Sequence, residues 1–273
     1  MRPRSDVNPL LAMTDSLSPL DQDQITARLP ADCVVGREVH VFAETDSTND
    51  LARKAGVSGA AEGLVFFAES QRAGRGRRGR EWSSPTGSGL WFSVLLRPRV
   101  ERDKWPRLTL LAVRALIETL AGVAGVAADW KWPNDVLIGT RKLAGILVET
   151  TSEFIVLGIG LNVRQRERDF PVALRDRAVS VEMVTGSGIE REALAAGILS
   201  ALDRDYRADW AGAGFAPVRQ YCVDRSAFAV GKLVRVQSGN HVLEGPLKGF
   251  SAEGHLRLAI DGREQEINEG LVE

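Results

Sequence analysis

A stretch rich in arginine and glycine, residues 72–80, separates two apolar runs that are typical of β-strands. It holds five arginines and three glycines without a carboxylate, although the whole chain has a net charge of only −1. Because Ala73 is its only apolar residue, the stretch has almost nothing to bury and must form a surface loop. Guanidinium groups bind phosphate and carboxylate, and glycines let backbone N–H groups approach such an anion closely. We therefore predict a loop that holds an anion and becomes ordered on its ligand.

Elsewhere the charges of the chain are balanced, with 35 basic and 36 acidic residues and a pI near 6.4. This balance argues against a general nucleic-acid surface and leaves RNA contact through the loop as the weaker alternative. The two cysteines, Cys33 and Cys222, match no metal or redox spacing, and no apolar run reaches transmembrane length. The expectation is a protein of the reducing cytoplasm without a membrane partner.

The residue pattern divides the chain into an N-terminal tail (1–36), an α+β domain (37–226) and a small antiparallel β-barrel (227–273). In the central domain, strands are predicted over 40–44, 64–69, 89–96, 130–132, 136–138, 143–149 and 154–163. Helices are predicted over 20–29, 48–56, 105–121, 189–210 and 215–221. The run 154–163 is continuously apolar and is therefore expected at the centre of a mixed sheet. In the barrel, short alternating strands are separated by glycine-containing turns.

Two further segments fit a buried core poorly and are candidates for chemistry. Residues 131–135, Lys-Trp-Pro-Asn-Asp, combine tryptophan with charge and a proline that ends any strand. Residues 141–149 place two cations at the start of a strongly apolar strand. Lys142 is then a cation on a rigid element, which suits catalysis, and the small Ala144 and Gly145 permit close approach of a ligand or backbone.

Taken in order, these segments resemble biotin protein ligases. The matching stretches are Ser47-Thr48-Asn49, residues 69–82, residues 131–135, residues 141–149, and residues 158–163 with the sequence Gly-Ile-Gly-Leu-Asn-Val. Order and spacing agree from about residue 40 to 163. The resemblance implies an α+β fold, with a mixed-sheet catalytic domain of the class II synthetase-like biotin/lipoate ligase type followed by a small SH3-like β-barrel.

The activity that this resemblance implies is a two-step reaction with ATP, biotin and Mg²⁺. The biotin carboxylate attacks the α-phosphate of ATP to give biotinyl-5′-AMP and pyrophosphate. The amine of one lysine on the biotin carboxyl carrier domain of a carboxylase, such as acetyl-CoA carboxylase, then attacks that anhydride. Positioned cations and Mg²⁺ offset the repulsion between a carboxylate and a triphosphate, and a closing loop shields the labile adenylate from water.

Matching positions assign roles to individual residues of this chain. The implied catalytic cations are Lys142, Arg77 and Arg75, with residues 75–77 in the loop that closes over the adenylate. The implied biotin contacts are Ser47, Thr48, Asn49, Gln71, Arg75, Gly76, Arg77 and Lys142. The implied ATP or adenylate contacts are Arg77, Arg80, Trp82, Lys131, Asn134, Asp135 and Asn162. The ligands of Mg²⁺ and the base for the acceptor lysine stay unassigned.

Other interpretations of the same residues stay open. Ser47 and Asp50 have the spacing of a capping box, so Ser47 is also expected to cap a helix. Trp82 has an alternative role in the core, and Lys142 one as an ordinary exposed lysine. The glycine pair in 158–163 lacks the third glycine of a dinucleotide-binding fingerprint, which excludes that interpretation.

Two related enzymes compete with the leading hypothesis. A lipoate ligase shares the fold and reaction logic but has a different acyl pocket. A bifunctional ligase–repressor carries a winged-helix domain, for which the roughly 39 proline-punctuated residues before the first strand are too few, so no sequence-specific DNA binding is expected. Family members can pair edge strands into a homodimer, and the sequence leaves that question open.

Overall fold

The computed structural model of the protein describes residues 18–210 and 214–272. Residues 1–17 of the predicted tail lie outside the described residues. The helices are α1 Gln22–Thr26, α2 Thr48–Val57, α3 Arg107–Ala124, α4 Val181–Thr185, α5 Arg191–Trp210 and α6 Ala216–Asp224. The strands are β1 Glu38–Thr45, β2 Leu64–Gln71, β3 Gly89–Leu96, β4 Asp129–Lys131, β5 Asp135–Ile138, β6 Arg141–Thr150, β7 Ile155–Asn162, β8 Leu233–Ser238, β9 His241–Phe250, β10 Leu256–Ile260, β11 Arg263–Ile267 and β12 Leu271–Val272.

The first seven strands form one mixed sheet in the order β1-β2-β3-β7-β6-β5-β4. β1 and β2 are parallel, and every other neighbouring pair in this sheet is antiparallel. β7 occupies the fourth of seven positions, and all eight residues of its neighbour β3 are buried. The expectation that the apolar run 154–163 forms the central strand is therefore confirmed, as is the α+β class.

Helices cover both faces of this sheet. Side chains alternate between the two faces along each strand, so neighbouring residues of one strand pack against different helices. Val65 and Phe67 of β2 belong to the large core under α3 and α5. Phe66, which points the other way, packs in a smaller cluster with Ala52 of α2 and Phe154. α2 consequently lies on the opposite face from the two long helices. It begins at Thr48, directly after β1 ends at Thr45.

A buried ion pair connects the segment before β1 to the main sheet. Arg191 donates to both carboxylate oxygens of Glu69 at 2.9 Å, and its side chain is only 1% exposed. Glu69 also accepts from the backbone N–H of Leu20, and Arg191 donates to the carbonyl of Ser18 at 2.9 Å. Leu20 and Ile25 lie in the core, so residues 18–36 pack against the domain, while the predicted boundary near residue 36 stays a prediction.

The C-terminal strands form a five-stranded antiparallel sheet in the order β11-β10-β9-β8-β12. β12 has only two residues, which is too short for a sequence pattern, and it was not predicted. The sheet shares a core with the main domain, since the rings of Trp130 and Phe250 lie 5.0 Å apart. Trp130 also donates from Nε1 to the carbonyl of Cys222 at 2.7 Å. The predicted boundary near residue 226 stays a prediction.

Cys33 and Cys222 are both free thiols, and burial raises the pKa of each. Within residues 18–210 and 214–272, no helix has the length and apolar character needed to cross a bilayer.

Candidate active site

A cleft of about 640 Å³ lies between the start of α2, the arginine loop, the β4–β6 hairpins and the segment before β12. Gly270 and Leu271 line it from the C-terminal sheet. All fourteen residues predicted for the site line this cleft: Ser47, Thr48, Asn49, Gln71, Arg75, Gly76, Arg77, Arg80, Trp82, Lys131, Asn134, Asp135, Lys142 and Asn162.

A chain of hydrogen bonds forms the polar end of the cleft. Gln71 accepts at Oε1 from the backbone N–H of Thr48 at 2.9 Å and lies 3.1 Å from the Thr48 hydroxyl. That hydroxyl is 2.7 Å from the hydroxyl of Ser93, which donates to Oδ1 of Asn49 at 2.5 Å. Gln71 in turn donates from Nε2 to Ser84 at 2.8 Å. These contacts fix the amide groups of Asn49 and Gln71, and both residues line the cleft.

Ser47 occupies the N-cap position of α2, but its side chain makes no cap hydrogen bond. The expected capping box is therefore wrong. Asp50, the predicted partner of Ser47, instead accepts two hydrogen bonds from Arg75 at 2.8 and 2.7 Å. Because the Ser47 hydroxyl does not cap the helix, it is available to a ligand in the cleft that it lines.

The glycines of the central strands allow two side chains to lie flat on the sheet. Gly145 and Gly160 are cross-strand partners, and the indole of Trp82 rests on both. A Cβ at Gly160 would lie 2.5 Å from Trp82, and a Cβ at Gly158 would lie 2.3 Å from the Asn49 amide oxygen. Gly158 and Gly160, which do not form a dinucleotide-binding motif, are thus explained by the side chains that pack directly on them.

Lys142 is the cation at the centre of the cleft. Its Nζ lies 2.6 Å from Oδ1 of Asp135 and 5.1 Å from the centre of the Trp82 ring. Its backbone is also fixed, because its N–H donates to the carbonyl of Arg177 at 2.7 Å and its carbonyl accepts from Val179 at 3.0 Å. A cation held this rigidly can stabilise developing negative charge without first reorganising.

The arginine loop folds into a tight hairpin. The N–H of Gly76 donates to the carbonyl of Arg80 at 2.7 Å, and the N–H of Trp82 donates to the carbonyl of Gly74 at 2.8 Å. Arg78 adopts a left-handed backbone conformation with a φ of 57°. This turn brings the side chains of the loop over the cleft, and the predicted ordering by a ligand stays a prediction.

Among the described residues, Arg77 forms no ion pair, whereas Arg75 pairs with Asp50 and Lys142 with Asp135. Burial lowers the pKa of Arg77, and the charge of Arg78 lowers it further. Glu269 and Asp135 act on Arg77 only from beyond ion-pair distance, so its partly buried guanidinium favours an anionic ligand at this position.

We expect replacement of Arg75 by glutamine to raise the pKa of Asp50. The hydrogen bonds from Arg75 hold that pKa below its ordinary value of 3.8, while burial opposes them, so their loss should move the pKa upward although the charges of Arg53 and Lys54 remain. Because the folded-state pKa is lowered, Asp50 stabilises the fold above pH 3.8 and loses this contribution as the pH falls through the lowered value. A carboxyl-carbon NMR titration measures both proteins, with Arg72→Gln in the same loop as control. An unchanged Asp50 titration in Arg75→Gln would contradict the pairing.

Two of the predicted nucleotide contacts are held by the protein itself. The Asn134 side chain donates from Nδ2 to the backbone carbonyl of Ile146 at 2.9 Å. The backbone carbonyl of Asn134 accepts from the N–H of Ile146 at 3.0 Å. Asn162 is buried, donates to the carbonyl of Val179 at 3.1 Å and accepts from Gln165 at 3.1 Å. Both asparagines therefore position the strands around Lys142, and a direct nucleotide contact stays a prediction for each.

Sequence reasoning missed five polar residues that belong to the site or support it. Ser93 is the single polar residue of an apolar strand, and Ser84 follows shortly after the arginine loop. These two positions could have indicated a role at the site. Glu149 ends the third chemistry-bearing segment and accepts from Asn49 at 2.7 Å. Asp176 and Arg177 line the cleft from a stretch without periodicity, which gave no signal.

Comparison with known proteins agrees with this architecture. Residues 41–165 match the Biotin/lipoate A/B protein ligase family. Over 243 residues the chain is 36% identical to the bifunctional ligase/repressor BirA of Bacillus subtilis, covering 87% of this chain and 72% of that protein. Over 260 residues it is 32% identical to the biotin–[acetyl-CoA-carboxylase] ligase of Mycobacterium tuberculosis, covering 93% of this chain and 95% of that protein.

A solved structure of the biotin protein ligase from Aquifex aeolicus in complex with biotin and ATP is similar, with a TM-score of 0.76 and 27% identity. The match covers 87% of this chain and 98% of that chain. The fold and the cleft thus define the class of the protein, a ligase with a mixed-sheet catalytic domain and a C-terminal β domain. The chain belongs to the biotin/lipoate protein ligase family, as its sequence motifs predicted.

Proposed function

We propose that the protein activates biotin with ATP to form biotinyl-5′-AMP and transfers biotin to a lysine of a biotin carboxyl carrier domain. The supporting observation is that one cleft joins a neutral hydrogen-bonding end to a cationic end. Thr48, Asn49 and Gln71 form the neutral end, and Lys142 and Arg77 belong to the cationic end. Biotin has the same division, with a neutral ureido head that donates and accepts hydrogen bonds and a carboxylate on its side chain.

In the first step a carboxylate oxygen of biotin attacks the α-phosphorus of ATP, and the bond to the pyrophosphate oxygen breaks. The ammonium of Lys142 offsets the repulsion between the two anions and stabilises the charge that develops on the α-phosphate oxygens. The guanidinium of Arg77 lies over the product adenylate and limits its escape and hydrolysis. In the second step the amine of the acceptor lysine on the carrier domain attacks the acyl carbon of biotinyl-5′-AMP. AMP leaves, and the new amide nitrogen loses a proton.

Trp82 is proposed to contact the nucleotide. Its Nε1–H is buried and has no acceptor among the described residues, so an acceptor on a ligand would satisfy it. Its indole also faces Lys142, so the same platform would hold the nucleotide next to the cation. Lys131 and Arg80 line the cleft and are proposed to balance the charge of the phosphates.

Mg²⁺ is proposed to arrive with ATP. Among the described residues no three His, Cys, Asp or Glu side chains cluster as a metal site. Mg²⁺ is usually held by one or two carboxylates together with substrate phosphates, and Asp135 and Asp176 line the cleft. These two carboxylates fit that donor set, and the ion would supply further charge neutralisation at the phosphates.

The proposed partners are a biotin carboxyl carrier domain and no specific DNA sequence, and the proposed location is the cytoplasm. Salt-resistant binding to an operator would contradict the DNA part of this proposal. β1 and β4 are the edges of the main sheet, so a homodimer through paired edge strands is proposed as the assembly to test by sedimentation.

The direct test incubates the protein with ATP, Mg²⁺ and either biotin or lipoate, and measures pyrophosphate release. Labelling of a purified carrier domain is measured in parallel. We expect release and labelling with biotin and little of either with lipoate. Absence of biotin-dependent pyrophosphate would overturn the proposed function, and a preference for lipoate would reassign the acyl substrate.

A further inference from the structure

Glu149 lies between the polar end of the cleft and the arginine loop. Its Oε2 accepts a hydrogen bond from Nδ2 of Asn49 at 2.7 Å and lies 3.6 Å from a guanidinium nitrogen of Arg75. Its Oε1 lies 3.5 Å from Arg53 of α2. One carboxylate therefore contacts a side chain that lines the cleft, a side chain of the loop above it, and the helix that carries Asn49.

The contact between Glu149 and Asn49 fixes the nitrogen side of that amide. The Asn49 oxygen rests on Gly158, where a Cβ would come within 2.3 Å, and it accepts from Ser93 at 2.5 Å. The nitrogen must then point toward Glu149, which accepts one of its two hydrogens. We assign the second hydrogen to a ligand, since Asn49 lines the cleft. Without an acceptor at Glu149, the buried amide would keep an unpaired donor and would be held only at its oxygen, by Ser93.

The contact with Arg75 concerns the loop. The guanidinium of Arg75 makes two hydrogen bonds to Asp50, and one of the two nitrogens, Nη2, also lies 3.6 Å from Oε2 of Glu149. A guanidinium that contacts two carboxylates is retained more firmly than one with a single partner. The position of the loop and the orientation of Asn49 thus depend on the same carboxylate.

We propose that Glu149 is a positioning residue that couples closure of the arginine loop to the orientation of the Asn49 amide. The proposal rests on the proposed function, because it assigns that amide to the biotin head and the loop to retention of the adenylate. Glu149 is not among the residues that line the cleft, so it is assigned to positioning and not to contact with the substrates.

Two substitutions separate the two contacts. Glu149→Gln keeps an oxygen that can accept from Asn49 but removes the charge facing Arg75. We expect a KM for biotin near that of the wild type and a dissociation of biotinyl-5′-AMP about threefold faster, the size for one half-exposed ion pair. Glu149→Met removes both contacts, and we expect a KM for biotin about tenfold higher with a nearly unchanged kcat.

The experiment measures kcat, KM and adenylate dissociation by stopped flow for wild type, Glu149→Gln, Glu149→Met, Arg75→Gln and the double variant Arg75→Gln/Glu149→Gln. The exposed Glu153→Gln serves as control for loss of a nearby charge. In the Arg75 background, Glu149→Gln should add nothing to the dissociation rate. Equal KM values for the Gln and Met variants, or a change in melting temperature alone, would overturn the coupling. If wild type itself binds no biotin by calorimetry, the proposed function fails instead.

Discussion

Replacement of Lys142 by alanine should slow biotin-dependent pyrophosphate release by about 10²–10³-fold, the usual loss for one positioned donor to a developing charge. The side chain lies in the cleft 2.6 Å from Asp135, and backbone hydrogen bonds on both sides fix its Cα. Removing the ammonium leaves no equally rigid cation at this place and leaves the Asp135 carboxylate facing the phosphates. Pyrophosphate release at saturating biotin and ATP is the measurement.

Two further variants show whether the loss comes from the missing cation. Lys142→Ala/Asp135→Asn also removes the carboxylate that Lys142 faces, and because Asp135 is a proposed Mg²⁺ donor, the double variant should be at least as slow as the single variant. Recovery of activity in the double variant would attribute the loss to Asp135 instead. Lys248→Ala, an exposed lysine of the C-terminal sheet, should keep wild-type activity. A wild-type rate in Lys142→Ala would remove the residue from the site.

Replacement of Gly160 by alanine is expected to displace Trp82 and to raise the KM for ATP. The new Cβ would lie 2.5 Å from the indole, which is closer than real Cβ contacts come, so the ring must move away from Gly160. Overpacking of this kind costs about 1–3 kcal/mol of folding free energy. Urea unfolding and ATP kinetics measure the two effects.

The matched controls use another glycine and the affected ring. Gly122 lies in α3, and a Cβ added there would have nothing within 4 Å, so Gly122→Ala should stabilise the protein by about 0.5–1 kcal/mol. In a Trp82→Ala background, Gly160→Ala should cost far less than in wild type, because the ring that it strikes is gone. Equal costs in both backgrounds would show that Trp82 does not occupy this platform.

Much of the fold follows from local patterns in the sequence. The bounds of β3 agree with its apolar run, and β7 is central, as its uninterrupted apolar run before Asn162 predicts. The fourteen residues predicted for the site converge because three loop and hairpin segments meet on the glycine-bearing strands β6 and β7. Their convergence was predicted through a family resemblance, since spacing alone gives no distances between segments.

Contacts between distant segments account for what the sequence did not predict. Asp50 was expected to form a capping box with Ser47, but its carboxylate accepts hydrogen bonds from Arg75, 25 residues later. A rule based on neighbouring residues does not include this competing partner. Ser93 and Glu149 were overlooked because their partners, Thr48 and Asn49, lie on another element. The sequence does not explain why residue 160 is glycine, because the reason is the Trp82 indole that packs on it from a distant segment.

The contact between Trp130 and Phe250 has a consequence for how such ligases can be recombined. The two rings belong to different sheets, yet they share one core, and the same interface brings Gly270 and Leu271 to the cleft. The C-terminal sheet is therefore not an exchangeable module. A chimaera that takes this sheet from a relative must also take the surface around Trp130. Otherwise the Trp130 ring would lose its contact with Phe250 and become exposed to water.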